Sequence, residues 1–517
     1  MFEKLIKRIN GYNERRKDEV FPKEIGEDVK ISKKLSENNK ILEPLLKKNN
    51  DMVIRHFCAG NRKATLYYVD GLTSRDTISD FIMRGLMDGN EDTENFKNME
   101  DILDFVLVCG EVSRVKTLKE ATEGFLKADL TLFIDGFSEA LVINAKGFER
   151  RSISDPQTDS VVRGPREAFV ESMRSNTALL RRRIRSTSFV MESMKAGRNT
   201  KTDITLAYLE NVADEELLEK IRRRISKIDI DAIVDSGYIE QFISDNPLSP
   251  FPTMGFTEKP DIAAAKILEG RVAIIVDGSP FVLTAPMLFA ESFQSPEDYY
   301  TSPIYGSIMR IIRYVSFFLS IFALPIYVAI TTFHREILPL PTLLSIAAAE
   351  EGTPFKTSTE AFIMILIFEI LKEAGVRMPK PVGQAVSIVG ALVIGETAVS
   401  AGIIGAPMVI AVALTALTAF VVPTQMNAVV FFRYLMLFMA SFMGGVGLTL
   451  GAVFIIVYLS KLKSFGADYL SPLAPFSLAG MKDMFVRAPI RTLLTRPRET
   501  SGKNPVRQVF YNAEDEE

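Results

Sequence analysis

Hydrophobic and polar positions divide the chain near Tyr300. Before it, apolar residues come in short runs and helical stripes broken by charge. Beyond it they form long stretches with almost no charge: Tyr314 to Phe333, Ala385 to Ile404 with Glu396 alone, Pro407 to Val422 and Tyr434 to Leu459. A bilayer core of ~30 Å takes ~20 helical residues to cross. Four such stretches in succession are not the buried helices of a water-soluble protein, and they predict an integral membrane domain. Glu360 to Ala374 differs, carrying Glu360, Glu369, Lys372 and Glu373 among large apolar residues. It reads either as a span facing a wet interior or as an amphipathic helix in the interface. Arg310 and Arg313 precede the first span; Lys461, Lys463, Arg487 and Arg491 follow the last. The positive-inside rule then puts both ends in the cytosol, which requires an even number of spans. Four spans plus an interfacial helix satisfy it, and five spans do not.

The first half contains a duplication. Thr65-Leu-Tyr-Tyr-Val-Asp-Gly-Leu aligns with Thr205-Leu-Ala-Tyr-Leu-Glu-Asn-Val at an offset of 140. An amphipathic helix follows each run, Ser74 to Met87 in one copy and Asp214 to Ile228 in the other. Ala121 to Gly136 matches Ala263 to Gly278 at an offset of 142, and strands follow at Glu139 to Asn144 and Pro280 to Ala285. Asp135-Gly136 and Asp277-Gly278 sit between apolar runs, a strong hairpin signal. Their aspartates read as turn residues rather than catalytic ones. The expected fold class is therefore two tandem α/β subdomains in the cytosol, followed by a polytopic helical transmembrane domain.

Between the copies lies a basic stretch, Val161 to Arg185, with seven arginines in 25 residues. Pro165 and Glu167 fit a helix N-terminus. Phe169, Met173, Leu180 and Ile184 share a face, leaving most of the arginines elsewhere. Arg163, Arg166, Arg181, Arg182 and Arg185 are candidates for a subunit or membrane-surface contact, beside the alternative of a solvated or internally paired face. The expected boundaries are a charged helical extension over 1–50, subdomains at 51–150 and 201–300 with the basic linker helix at 151–200 between them, a transmembrane domain over 301–465, and a cytosolic segment with a disordered tail over 466–517.

Composition narrows the function. With 61 basic and 64 acidic residues the net charge is −3, which argues against a nucleic-acid binder. Cys58 and Cys109 cannot build a disulfide framework or a four-ligand zinc site, and His56 and His334 leave little for a metal centre. The charged start, Met1 to Arg8, lacks a signal-peptide core. There is no phosphate loop, no H-E-x-x-H and no G-x-S-x-G elbow. Neither an enzyme nor a bound cofactor is expected.

Several longer motifs carry a family resemblance. RGPREAFVESMRSNTALLRRRI (Arg163 to Ile184), PFPTMGFTEKPD (Pro250 to Asp261), LEGRVAIIVDGSPFVL (Leu268 to Leu283) and QSPEDYY (Gln294 to Tyr300) resemble the spore germination GerA-type A subunits. EILKEAGVRMPKPVGQAVSIVGALVIG (Glu369 to Gly395) and KSFGADYLSPLAPF (Lys463 to Phe476) resemble the same family, so the likeness runs over roughly 50 to 490. It implies a subunit of a nutrient-germinant receptor in the inner spore membrane, working with a transporter-like B subunit and a lipoprotein C subunit. It also implies a homo-oligomer, a pentamer in the family's picture, that releases monovalent cations. The stage V sporulation AF proteins are the other branch it fits. Receptor members carry Gln where this chain has Glu396, Glu where it has Ser400, and a further Glu at Ile365.

The residues themselves point the same way. Glu396 is the sole charge between Pro381 and Phe432. Ionisable groups within spans are costly and tend to mark a wet path, and in an oligomer one Glu per subunit becomes a ring. Ser387, Thr397, Ser400 and Thr415 add neutral oxygens nearby. Glu396, Glu369, Glu360 and Ser400 are the ion-path candidates, with Glu360 and Glu369, nine residues apart, expected on one side. A buried, paired carboxylate, a secondary transporter and a non-conducting scaffold are the competing readings.

Overall fold

In the computed structural model the residues described are 25–26, 29–87, 98–105, 111–147, 156, 161, 163–378, 395–477, 480–502 and 504–508. Cys109, the first half of the 385–404 stretch (385–394, with Ser387) and the tail from 509 lie outside them.

The duplication extends to every element. The first unit runs α1 (Leu35–Leu46), β1 (Met52–Ala59), β2 (Arg62–Val69), a π-helical turn (Thr77–Met83) leading into α2 (Arg84–Met87), α3 (Met99–Phe105), β3 (Val112–Val115), α4 (Leu118–Leu126), β4 (Leu130–Ile134) and β5 (Ala140–Ile143). The second runs α5 (Met173–Arg183), β6 (Phe189–Ala196), β7 (Thr202–Leu209), α6 (Glu215–Ser226), α7 (Ser236–Ile243), β8 (Gly255–Thr257), α8 (Pro260–Leu268), β9 (Val272–Val276) and β10 (Val282–Ala285). The sheet orders are β1-β2-β4-β5-β3 and β6-β7-β9-β10-β8, the same path twice. Thr65 pairs with Phe133 and Thr205 with Ile275, so the two threonines hold equivalent places. Every pairing is antiparallel, so helices and strands are mixed without parallel crossovers.

The centre of each sheet is covered on both faces, which explains why every residue of LTLFI in β4 and VAIIV in β9 is buried and all but Thr131 are apolar. In the first unit one face packs under α1 and α4, through Leu42, Leu118 and Phe125. The other packs under the π-helical turn, α2 and α3. Both Asp-Gly pairs make the expected hairpin turns, with Gly136 at φ 94° and Gly278 at φ 86°. Their aspartates do more than turn the chain. Asp135 Oδ1 accepts the Leu35 N–H at 2.9 Å, and Asp277 Oδ1 accepts the Met173 N–H at 3.2 Å. Each thus holds the first turn of the unit's first helix. Asn38 and Asn176 repeat the theme, clamping the backbone of Ser32 and Val170 respectively from both sides.

Two expected boundaries are corrected by this. α1 and the basic helix α5 open their units, so cuts at 51 and 201 would remove the first helix of each. The C-terminal segment is corrected too, as far as 508: Thr500 donates to the Glu269 carbonyl at 2.9 Å and Arg496 to that of Leu268 at 2.8 Å, against the second unit.

After a short helix α9 (Glu297–Tyr300) the second half is helical: α10 (Pro303–Phe333), α11 (Leu340–Glu351), α12 (Thr357–Arg377), α13 (Ala406–Ala419) and α14 (Met426–Lys461). α10 and the 423–461 segment are each long and apolar enough to cross a membrane. α14 is not one rod. At Gly444 the backbone turns to φ 55°, ψ −131°, a region closed to side chains, and the helix folds back on itself. Phe432 and Tyr458 meet across the two arms at 6.1 Å between rings. Phe333 packs against Gly444, where a Cβ would come within 2.7 Å of its ring. The Gly445 N–H freed by the break donates to His334 Nε2 at 3.0 Å. The apolar run Tyr434 to Leu459, expected as one span, is therefore the body of a helical hairpin with arms of ~26 Å. α12 packs within the bundle, with Ala361, Met364 and Ile365 buried against Leu324 and Val328 of α10 and Met408 of α13.

Candidate functional site

The arginines of α5 mostly face inward. Arg181 is 0% exposed. Its Nε and Nη2 donate to the two Asp51 oxygens at 2.7 and 2.9 Å, Nη2 also reaches Asn49 Oδ1 at 3.0 Å, and Nη1 reaches the Phe189 carbonyl at 2.9 Å. Arg182 and Arg183 both bind Glu167. Arg181 is thus not a subunit contact: a buried guanidinium has to be paired, and it finds its partners inside the chain, while the half-exposed Arg182 is paired with Glu167. Arg181 joins the two units, because Asp51 belongs to the first. Arg163, Arg166 and Arg185 are exposed and stay available to a partner.

In the helical half the candidates separate into three settings. Glu369 is paired, its Oε1 accepting from Arg433 Nη1 at 3.1 Å while Lys372 contacts its other oxygen. Arg433 is 1% exposed and also donates through Nε to the Ser320 carbonyl at 2.8 Å. One side chain on α14 so ties α10 and α12 together. Sequence reasoning missed it, although a lone Arg within FFRYLMLF was the available signal. Thr415 is buried, and its hydroxyl is spent on the Ala411 carbonyl at 2.8 Å.

Glu360 is the opposite case. It is 1% exposed, and its Oε1 has no hydrogen-bond partner among the described residues. Glu360 and Glu369 do not share a side: nine positions at 3.6 residues per turn make two and a half turns. The expectation that they line one path is corrected on that ground.

Glu396 and Ser400 form the third setting. Residues 395–400 are helical, and both side chains are exposed one turn apart, with Thr397 exposed beside them. Gly395 packs near Val409 at the start of α13.

Where the mixed units meet the bundle, ion pairs are dense. Asp298 receives Arg310 at 3.2 Å and Arg313 at 2.8 Å, and Arg310 also binds Asp483 at 2.8 Å. Gln425, at the head of α14, donates to Ser292 Oγ at 2.6 Å. Burial works against the charge of Glu291, but Arg271 and Lys266 outweigh it and hold that carboxyl below the usual range. After the last helix, Phe465 N–H donates to Asp245, which Arg224 and Lys220 also bind. The two halves of the chain are therefore joined through charge and backbone at several points.

The family described as Bacillus/Clostridium GerA spore germination protein matches residues 40–499. The chain belongs to the GerA family. It is 42% identical over 485 residues to the "Spore germination protein KA" of Bacillus subtilis strain 168, covering 93% of this chain and 89% of that one. It is equally 42% identical to that organism's "Uncharacterized membrane protein YfkQ", covering 93% and 94%. To the "Stage V sporulation protein AF" of the same strain it is 30% identical over 463 residues, covering 89% and 93%. Among solved structures, the N-terminal domain of the A subunit of the Bacillus megaterium spore germinant receptor GerK3 matches at 36% identity and a TM-score of 0.40, covering 50% of this chain and 97% of that one.

Proposed function

We propose that this GerA-family chain is the A-type membrane subunit of a spore germinant receptor, and that copies of it assemble around a path for monovalent cations in the inner spore membrane. In this reading it performs no catalysis and works beside B-type and C-type subunits. The observation that carries the path is Glu396 with Ser400. A carboxylate and a hydroxyl lie exposed one turn apart on one face of the bundle. In a bilayer that face needs water, a cation or a partner helix.

The course of the helices supports a polytopic arrangement. α10 leaves the mixed units and ends at Phe333, beside the Gly444 apex of the α14 hairpin. α12 starts at this remote end, where Thr357 binds Glu350, and passes Arg433 on its way back. α13 also starts there, with Gly405 near the Ala349 carbonyl, and ends at the corner where Thr424 meets Ser292. Two described passages lead away from the mixed units and three return. Arg377 and Gly395, which flank the residues not described, lie at opposite ends of the bundle.

Planar-bilayer recording of the purified chain tests the reading. Cation-selective conductance is expected, and its complete absence at high protein load would leave a scaffold instead. The likeness to stage V sporulation protein AF favours a second reading, an accessory channel without B and C partners. Co-purification from spores separates the two: B- and C-type subunits come down with a receptor subunit only.

A further inference from the structure

We propose that Glu360, Glu350, Thr357 and Tyr327 form a binding site for one monovalent cation, at the end of the bundle remote from the mixed units. The proposal rests on the reading of the helical half as membrane-embedded. It starts from an anomaly. Glu360 is 1% exposed, its Oε1 has no hydrogen-bond partner, and no salt bridge reaches it among the described residues. Its neighbours Ala361 and Met364 belong to an apolar cluster with Leu324, Val328, Ile404 and Met408. A carboxylate stripped of water in such a place has to be neutralised.

The surroundings supply oxygen. Thr357, one turn before Glu360 on α12, is buried and donates to Glu350 Oε1 at 2.8 Å. Glu350 closes α11, and its other oxygen lies 3.5 Å from Arg335 Nη2. Tyr327 of α10 packs against the same apolar cluster that holds Ala361 and Met364, on either side of which Glu360 and Ile365 are buried. Three helices thus bring two carboxylates, a hydroxyl and a phenol to one place, and His334 is engaged elsewhere, at Gly445.

The donor set and the charge together choose the ion. Oxygen donors without sulfur or imidazole suit hard cations. Two carboxylates against one guanidinium leave a single negative charge, which one alkali ion balances and a divalent ion overshoots. Bound there, the cation would tie α10, α11 and α12 at the remote end, as Arg433 ties α10, α12 and α14 nearer the mixed units.

The test uses the full chain in detergent, with its thermal midpoint followed as NaCl or KCl replaces N-methyl-D-glucamine chloride at constant ionic strength. The wild type is expected to rise saturably, and Glu360→Gln to lose that rise. Glu360→Asp and Thr357→Val, which disturb the site less, are expected to shift half-saturation to at least several-fold higher salt. These two decide the matter if Glu360→Gln fails to fold. An equal rise in every variant, or a wild type that responds to pH and to no alkali ion, overturns the proposal, the latter by leaving a proton on Glu360. Binding intact in a chain that conducts nothing would count against the cation path and leave this site standing.

Discussion

Arg181 and Asp51 lie 130 residues apart, yet they are joined in a bidentate, fully buried ion pair. Asp51 sits where the first unit leaves α1, and Arg181 sits in the last turn of α5. The pair fixes how the duplicated units stand against each other, and Asn49 and the edge of β6 reinforce it, Met191 N–H donating to Asn49 Oδ1 at 3.1 Å.

Removing one partner of such a pair leaves the other charge buried, at a cost of ~3–5 kcal/mol. Arg181→Gln should therefore loosen the join between units. Arg185→Gln, at an exposed position, should not. Limited proteolysis of the full chain in detergent checks this, with faster cleavage between 147 and 170 expected only in the first variant. Equal cleavage in both would mean that the units hold together without Arg181.

The second prediction concerns Gly444. Alanine there must adopt a conformation closed to side chains, at ~1–3 kcal/mol, and its Cβ would also press into the Phe333 ring. Gly444→Ala should lower the yield of folded protein sharply. Gly352→Ala is the control, since nothing lies within 4 Å of its added Cβ. Monodisperse recovery in size-exclusion chromatography reads the difference. Equal recovery would argue against a hairpin apex at this glycine.

What the sequence disclosed, and what it concealed, follows from the kind of signal each feature leaves. The repeat was legible at Thr65 and Thr205 and at the two Asp-Gly turns, because central strands and hairpin turns restrict residue type. The equivalence of α1 and α5 was not. Their shared task is a backbone contact to Asp135 or Asp277, which any residue at Leu35 or Met173 can make. The α14 hairpin was concealed for a related reason. Gly444 and Gly445 interrupt an apolar run without polarity, so they read as packing glycines rather than as a turn. Among the site candidates, Glu396 and Ser400 lie on one face as their spacing requires. The fate of Glu369 depended on Arg433, 64 residues away, and no local pattern could supply that.

The third prediction is a pH dependence at the junction after the last helix. Burial raises the Asp245 carboxyl, but Arg224 and Lys220 lower it by more, and the net is a value below the usual range. A carboxyl depressed in the folded state adds stability that is fully present above its unfolded value, near ~3.9. That stability fades as pH falls through the unfolded and then the folded value. Asp245→Asn should thus lower the thermal midpoint at pH 7, and the gap to wild type should shrink below about pH 4. A gap that stayed constant with pH would assign the effect to the lost Phe465 N–H contact rather than to charge.

The last prediction returns to Glu396. In the single chain its side chain is exposed, unlike Glu360, which is buried, and Glu369, which is neutralised by Arg433 and Lys372. Of the three carboxylates it is the one that is exposed and without an ion pair among the described residues. A ring of such charges concentrates cations at a pore, whereas a carboxylate facing lipid would take up a proton instead of bearing the cost of desolvation. Glu396→Gln keeps the shape and removes the charge. It should reduce cation-over-anion selectivity in planar bilayers several-fold while leaving expression and oligomer size unchanged. Ser400→Ala, one turn away on the same face, should have a smaller effect in the same direction, because a hydroxyl orients water without attracting the ion from a distance. Glu369→Gln, by contrast, should strike stability first, since it strands the buried Arg433. A Glu396→Gln protein with wild-type conductance and selectivity would take this face off the ion path.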